Sequence, residues 1–301
     1  MPKLRADPPP NSRRPVTVRA VHPNAGVHAW YQQRLDWLLR DMHADVTRGV
    51  LAAYGVVEPV EIAKDAPTPR NPSLFIKRAL EKYGRKWTLR LDKLSLSISR
   101  EFAKKSFKAT EVQTRAAFKD AGFTITFAPT PGSMAAYQAV VAENVNLIKS
   151  IPAQYLKDVQ SNVWQAVMRG SDLHALSATL QETYGVSQRR AALIARDQNA
   201  KAKAVIERTR RQELGITHAI WQHSAGGKVP RATHVAMSGK AYPLSQGMYD
   251  SAEGRYVLPG ELINCRCTSR AVVPAFETIS QARARQPANT PLLNAARARA
   301  R

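Results

Sequence analysis

The longest regular pattern in the chain is KWTLRLDKLSLSISREFAKKSFKATEVQTRAAFK, residues 86–119. Its apolar residues recur at intervals of three and four, as in a helix that packs one face against a core. The spacing therefore predicts one long amphipathic helix at the centre of a helical N-terminal region. The predicted apolar face consists of Trp87, Leu91, Leu94, Ile98, Phe102, Ala109, Val112 and Ala116.

Another flank of this predicted helix is basic. Residues 77–108 contain eleven Lys and Arg residues against three acids. Such a flank is either a solvated helix face or a strip that lies along DNA or an acidic partner, and the sequence leaves both interpretations open. The basic stripe consists of Lys86, Arg90, Lys93, Arg100, Lys104 and Lys108.

Further helices are predicted on both sides of this stretch. One begins near Asn24, and Asn71-Pro72 suits the N-cap and first residue of another. An alternating run at 122–127 predicts a short strand. Beyond it, helices are predicted at 133–149, 152–169, 172–184 and 187–213, with Ser171 and Ser187 as N-caps.

The pattern changes after Gly215, where short apolar pieces alternate with Gly and Pro. This arrangement is typical of short strands joined by turns. We therefore predict an α+β protein, with a mainly helical N-terminal region followed by a small mixed α/β C-terminal domain with short strands. The apolar pieces lie at 219–221, 242–244, 256–258 and 268–273.

Composition and the predicted elements divide the chain into five segments. Prolines and basic residues dominate the first segment, which we interpret as a flexible arm. The last segment is a basic tail whose Arg residues are further candidates for contact with DNA or a partner: Arg283, Arg285, Arg297, Arg299 and Arg301. The segments are the arm 1–20, the helical N-terminal region 21–130, a helical lead-in 131–186, the C-terminal domain 187–276 and the tail 277–301.

The net charge of the chain is +22 over 301 residues, which favours a polyanionic partner such as nucleic acid. Hydrophobic residues make up 44%, enough to bury a core. The sequence contains no run of about eighteen apolar residues, so we expect no membrane span. The N-terminus lacks the apolar segment of a signal peptide, so we expect synthesis in the cytoplasm.

The residues whose side chains could bind a metal or react cluster near the C-terminus: His223, Arg231, His234, Cys265, Arg266 and Cys267. Two thiols and two imidazoles suit tetrahedral zinc, with His223, His234, Cys265 and Cys267 as candidate ligands. The Cys-x-Cys spacing is less common at zinc than Cys-x-x-Cys, and buried cysteines often serve packing alone. A third interpretation pairs a thiol with His234 as base, but the sequence identifies no third group to orient the imidazole. We expect no cofactor, with zinc as the alternative.

The order and spacing of these residues resemble the phage Mu protein F-like family over about residues 150–275. Upstream, Arg196-Asp197-Gln198 fits the helix that precedes the motif in this family. Gly226-Gly227-Lys228 follows Trp221 within the motif. The signature positions are Trp221, Arg231, His234, Gly239, Pro259, Gly260, Glu261, Asn264, Cys265, Arg266 and Cys267.

The resemblance implies a minor capsid or head morphogenesis protein of a tailed phage or prophage, without enzymatic activity. Members of the family are minor components of phage heads, often encoded beside the portal protein. The implied partners are the portal protein, the major capsid or scaffold protein and nonspecifically bound double-stranded DNA. The implied location is the virion, in the head interior or near the portal, after synthesis in the bacterial host. The alternative is a zinc-dependent hydrolase or nuclease effector that uses His234, Cys265 and Cys267.

Overall fold

The computed structural model describes residues 3–6, 15–55, 72–169, 173–225 and 229–274, with the backbone alone at 3–6, 55, 72 and 73. The helices are α1 (Ala25–Gly55), α2 (Pro72–Asp120), α3 (Pro131–Arg169), α4 (Leu173–Glu213) and α5 (Ala232–Met237). The strands are β1 (Lys3–Ala6), β2 (Val16–Thr17), β3 (Phe123–Thr126), β4 (His218–Gln222), β5 (Ala241–Pro243), β6 (Met248–Asp250), β7 (Arg255–Val257) and β8 (Thr268–Val273). The α+β prediction is confirmed, since the long helices lie mostly in the N-terminal part and the short antiparallel strands mostly in the C-terminal part.

Helices α1 to α4 pack around one apolar core. Their buried side chains recur at helical spacing, and the rings of Tyr31 on α1 and Phe102 on α2 stack with centroids 4.2 Å apart. A buried polar chain crosses this core, where the Tyr31 hydroxyl donates to Asn144 Oδ1 over 2.7 Å and Asn144 Nδ2 donates to Gln198 Oε1 over 3.2 Å. Because these groups would be costly to bury unpaired, the chain of hydrogen bonds fixes the register of α1, α3 and α4.

Helix α2 joins the helix predicted to begin at Pro72 to the helix predicted over 86–119, and it buries a different face at its C-terminal end. Val112 and Ala116, predicted to face the core, are exposed. Ser106, Thr110 and Thr114 are buried instead. The prediction was wrong there because the apolar spacing placed Val112 and Ala116 on the core side, whereas the packed face continues through small polar residues at four-residue intervals.

Two predicted helix breaks are wrong. Helix α3 runs through Pro152, and α4 runs through Gly185 and Ser187, so Ser187 is a buried helical residue and not an N-cap. Proline removes one backbone hydrogen bond and glycine costs about 1 kcal/mol relative to alanine, but packing of the flanking turns on both sides outweighs these local costs. The predicted N-caps Asn71 and Ser171 lie outside the described residues.

The C-terminal part is built on an antiparallel sheet with the strand order β2-β8-β4-β5. The predicted strands at 219–221, 242–244, 256–258 and 268–273 are confirmed as β4, β5, β7 and β8 to within one or two residues. Strands β6 and β7 form a separate hairpin. These strands enclose a second apolar core, which also takes in the C-terminal end of α2 and the predicted strand β3.

The N-terminal segment predicted as an arm supplies strands to two separate sheets. Strand β1 pairs with β3, and β2 pairs with β8 at the edge of the main sheet. Val18 and Val21 are buried in the second core. The interpretation as a free arm was wrong for 3–6 and 15–20, because prolines exclude helix but allow edge strands.

A buried ionic cluster joins α4 to β8. Lys203 Nζ lies 2.7 Å from a carboxylate oxygen of Glu207, and Arg211 bonds the other oxygen of the same carboxylate. Arg211 also donates to the Ser269 hydroxyl over 2.8 Å and to the Ser269 carbonyl over 3.0 Å. All three charged residues of the cluster are buried, so this joint holds the sheet on the helix.

Over the described residues, no helix is both long and apolar enough to cross a membrane.

Candidate metal centre

The loop between β7 and β8 is fastened to α4. Gly260 has a φ of +83°, and a Cβ there would lie 3.0 Å from the Ala204 Cβ. Asn264 also adopts a positive φ, of 61°; its N–H donates to Asp197 Oδ1 over 2.8 Å, and its own Oδ1 accepts from Arg196 over 3.0 Å. These contacts turn the chain sharply at Asn264 and deliver the next residue, Cys265, into the interior.

Glu261 stabilises the start of the same loop. One of its carboxylate oxygens accepts from the Leu258 N–H over 2.9 Å, and the other lies 2.6 Å from an Arg255 nitrogen. The Pro259-Gly260-Glu261 signature therefore shapes the approach of the chain to the cysteines.

Helix α5 lies across the loop from the cysteines and presents His234. The Arg231 guanidinium at its N-terminal end donates to the Ile263 carbonyl over 3.1 Å. After the helix, the N–H of Gly239, where φ is +83°, donates to the Trp221 carbonyl over 2.9 Å. The Trp221 ring meets the His234 ring edge-on with centroids 5.1 Å apart. The helix is thus held between β4 and the cysteine loop.

His234, Cys265 and Cys267 form one buried cluster. His234 Nδ1 lies 3.5 Å from the Cys265 sulfur and 3.6 Å from the Cys267 sulfur. One donor atom from each of the three residues falls within 4.8 Å of the others. The Gly260 N–H also points at the Cys265 sulfur, 3.4 Å away.

Asp250 completes the cluster from the opposite side of the imidazole. Its Oδ2 lies 3.2 Å from His234 Nε2, and its side chain is fully buried. Its other oxygen accepts from the Ala252 N–H over 2.9 Å. Sequence reasoning missed this group, which is the third group that orients His234. The one local feature that could have drawn attention to Asp250 is its place as an acidic residue at the end of the short segment Met248–Asp250. No sequence pattern there identifies His234 as its partner.

The charges of the cluster are coupled. Hydrogen bonding from the neighbouring Cys267 thiol, and then from His234, lowers the pKa of Cys265 to about 4. The same proximity to Cys265, together with burial, raises the pKa of Cys267. The Cys265 sulfur and the Asp250 carboxylate raise the pKa of His234. Burial acts to raise the pKa of Asp250, but hydrogen bonds from Ala252 and Thr233 and the facing imidazole bring it below its usual value. The pocket therefore favours a thiolate beside a cation.

The fourth predicted ligand, His223, is placed differently from the other three. It is partly exposed and lines a cavity of about 40 Å³ beside the cluster, together with Arg231 and Arg266. Its ring is outside the group of close donor atoms. The structure thus brings three of the four predicted metal-binding residues together and leaves His223 at the rim of the cavity.

The basic stripe of α2 separates into two parts. Lys86 Nζ lies 2.6 Å from Asp45 and an Arg90 nitrogen 2.7 Å from Asp41, so α1 neutralises both cations. Lys93, Arg100 and Lys104 instead line a surface groove of about 480 Å³ between α2 and α3. Lys108 is exposed on the same side of the helix.

Within the described ranges, no ion pair within 4 Å is formed by the side chains of Lys93, Arg100, Lys104 and Lys108. The tail arginines Arg283, Arg285, Arg297, Arg299 and Arg301 lie outside the described residues, as does Gly226-Gly227-Lys228.

Comparisons with known proteins agree with the sequence resemblance. Residues 157–270 match the family described as Phage Mu protein F like protein, which confirms the predicted resemblance. A Haemophilus influenzae protein described as "Uncharacterized protein" is 29% identical over 255 residues, or 83% of this chain and 54% of that protein. The chain thus spans about half the length of this relative. No solved structure matches the chain.

Proposed function

From the match of residues 157–270 to the Phage Mu protein F like family, we propose that this chain is a minor head protein of a tailed phage or prophage. It associates with the portal protein, and with the major capsid or scaffold protein, during head assembly. It resides in the virion, in the head interior or near the portal. The family match is the observation that carries this proposal.

The chemistry of the C-terminal cluster supports a structural role over an enzymatic one. Small-molecule sites usually enclose about 300–1,000 Å³, whereas the cavity beside His234 measures about 40 Å³. The two sulfurs and the imidazole are buried, so a substrate of ordinary size does not reach them. A nucleophilic thiol or a catalytic zinc would need an open approach.

A gene deletion in an inducible lysogen tests the assignment. We expect the deletion to reduce the yield of filled heads, and the chain supplied in trans to restore it. Mass spectrometry of purified procapsids should find the chain at a few copies against the major capsid protein. Its absence from both procapsids and mature virions would contradict the proposal. A capsid-protein deletion serves as the control for particle loss.

Contact with packaged DNA is the finer part of the proposal. Lys93 and Lys104 lie on the same face of α2, and eleven residues of helix separate them by about 16 Å. Lys93, Arg100 and Lys104 form no ion pair with other described residues and line one groove, so they are available to phosphates. Such contact is independent of sequence and weakens as salt rises.

A salt titration separates the two parts of the basic stripe. Each phosphate contact contributes about 0.9 to the slope of log K against log salt. The triple variant Lys93→Gln, Arg100→Gln, Lys104→Gln should therefore lower the slope by about 2–3 in duplex-binding assays. The double variant Lys86→Gln, Arg90→Gln is the matched control, and it should change the slope much less because α1 already neutralises those cations. Equal slopes for wild type and the triple variant would exclude the groove as a DNA contact.

A further inference from the structure

We propose that His234 Nδ1, Cys265 Sγ and Cys267 Sγ bind one structural zinc ion that fastens α5 to the loop before β8. The proposal rests on the contacts of the C-terminal unit and is independent of the role in head assembly. The spacing of these residues in the sequence favoured a zinc site only weakly, and the proposal now assigns one to the cluster.

The distances within the cluster fit tetrahedral zinc. Zinc–sulfur bonds of about 2.3 Å and zinc–nitrogen bonds of about 2.0–2.1 Å, meeting at the tetrahedral angle, place sulfur and nitrogen about 3.6 Å apart. His234 Nδ1 lies 3.5 Å from one sulfur and 3.6 Å from the other. Both distances also suit hydrogen bonds to sulfur in the metal-free protein, and both leave room for an ion between the three atoms.

The surroundings of the cluster are those of a metal site. A histidine ligand usually donates its second ring nitrogen to a carboxylate, which fixes the tautomer and raises the basicity of the ligand. Asp250 Oδ2 stands 3.2 Å from His234 Nε2 and is fully buried. In the described part of the chain neither atom forms a regular hydrogen bond, and each faces the other as an ion pair. Asp250 therefore serves as the positioning residue for the ligand.

The backbone around the sulfurs also suits thiolates. The Gly260 N–H points at the Cys265 sulfur from 3.4 Å, and Asn264, with its positive φ, turns the chain so that Cys265 and Cys267 face the same side. Two thiolates and one imidazole select zinc among the common divalent ions because soft sulfur ligands in tetrahedral geometry suit it. On binding, the thiol proton of Cys267 and the Nδ1 proton of the His234 cation pass to solvent while Cys265 binds as the thiolate, and no oxidant or reductant is needed.

The fourth coordination position faces the cavity of about 40 Å³ beside His223. A cavity of this size holds a water molecule but not an ordinary substrate. The site has three protein ligands and a fourth position that is too small to admit a substrate, and this lack of access favours a structural role for the ion. It joins α5 to the segment before β8, two pieces that the chain separates by about thirty residues.

Metal analysis of the purified full chain tests the site. The protein is prepared with a cleavable tag free of histidine, refolded with zinc and dialysed extensively. We expect about one zinc per chain by mass spectrometry of the metal. His234→Ala and the double variant Cys265→Ser, Cys267→Ser should lose it. His174→Ala is the matched control, because His174 is exposed on α4, and it should retain the wild-type zinc content.

Cobalt substitution keeps the test independent of variants that fail to fold. Wild-type protein titrated with Co²⁺ should develop sulfur-to-cobalt charge-transfer absorption and the intense visible bands of a tetrahedral ion. Asp250→Asn should weaken zinc binding on the order of 10- to 100-fold, as loss of a carboxylate behind a histidine ligand does elsewhere. A folded wild-type protein with neither zinc nor the cobalt–thiolate bands overturns the proposal. Rapid alkylation of Cys265 in such a metal-free protein would favour a reactive thiol instead.

Discussion

Gly247 lies where the hairpin that carries Asp250 begins, and its replacement by alanine should be costly. Its φ is +87°, and a Cβ there would lie 2.2 Å from the Val257 carbonyl oxygen and 2.9 Å from the carbonyl carbon. Both atoms belong to the backbone of β7, the partner of β6. A backbone carbonyl cannot rotate away as the end of a side chain can, so the hairpin must open or shift.

The matched control is Gly239→Ala. Gly239 has a φ of +83°, almost the same as that of Gly247, but a Cβ there meets nothing within 4 Å. The left-handed backbone should cost each alanine variant about 1–2 kcal/mol. At Gly247 the overlap adds about 1–3 kcal/mol, the usual cost of overpacking. We therefore expect a loss of about 1–2 kcal/mol for Gly239→Ala and about 2–5 kcal/mol for Gly247→Ala.

Urea unfolding followed by far-ultraviolet circular dichroism measures both losses. The free energies of unfolding should be compared at equal m-values, so that a change in the extent of unfolding is not taken for a change in stability. Equal losses for the two variants would refute the reasoning, because the backbone overlap at Gly247 would then have no energetic consequence. Zinc content measured on the same samples should fall with Gly247→Ala, since Asp250 moves with the hairpin.

Three further comparisons test the packing of the helices and their buried charges by the same unfolding measurement. Gly84→Ala, with nothing within 4 Å of the added Cβ, should stabilise the protein by up to about 1 kcal/mol. Gly49→Ala should leave the protein less stable than Gly84→Ala does, because the added Cβ would overlap the Tyr83 ring of α2 and the ring must move. The opposite order would contradict the α1–α2 packing. Burial lowers the pKa of His43 below its usual 6.5, so the unfolded chain binds the proton first and wild-type stability should fall as the pH drops through about 6.5. His43→Gln should lose less stability over that interval, and identical pH profiles would count against a neutral buried imidazole. Glu207→Gln leaves two buried cations of α4 without their carboxylate and should cost about 3–5 kcal/mol, while the exposed control Glu182→Gln should cost almost nothing.

Local patterns predicted most of the elements because helical and strand spacing is a property of neighbouring residues. The helix centred on 86–119 and the strands β4, β5 and β8 follow from such spacing. The breaks predicted at Pro152 and Gly185 did not occur. Their local cost of a few kcal/mol or less is smaller than the apolar burial that continuous helices gain on both sides, and no local pattern measures that burial.

The basic stripe shows that local sequence patterns also cannot predict which charges are neutralised. Sequence placed six cations on one flank of α2, but it could not show that Asp41 and Asp45 on α1 neutralise two of them. Pairing of charges depends on which helices lie side by side. Only the packed bundle separates the neutralised part of the stripe from the cations that line the groove.

The sequence by itself determined the α+β class and the likeness to the Mu protein F-like family, because both lie in the order and spacing of residues along the chain. It also singled out His223, His234, Cys265 and Cys267 as candidate metal ligands. Only the tertiary structure decided that the last three meet, that His223 stays at the rim and that Asp250 stands behind the imidazole. The physical reason is that the turn at Asn264 and the close contact of Gly260 with α4 bring these residues together. Both contacts join residues that are far apart in the chain, so no periodic pattern in the sequence reveals them.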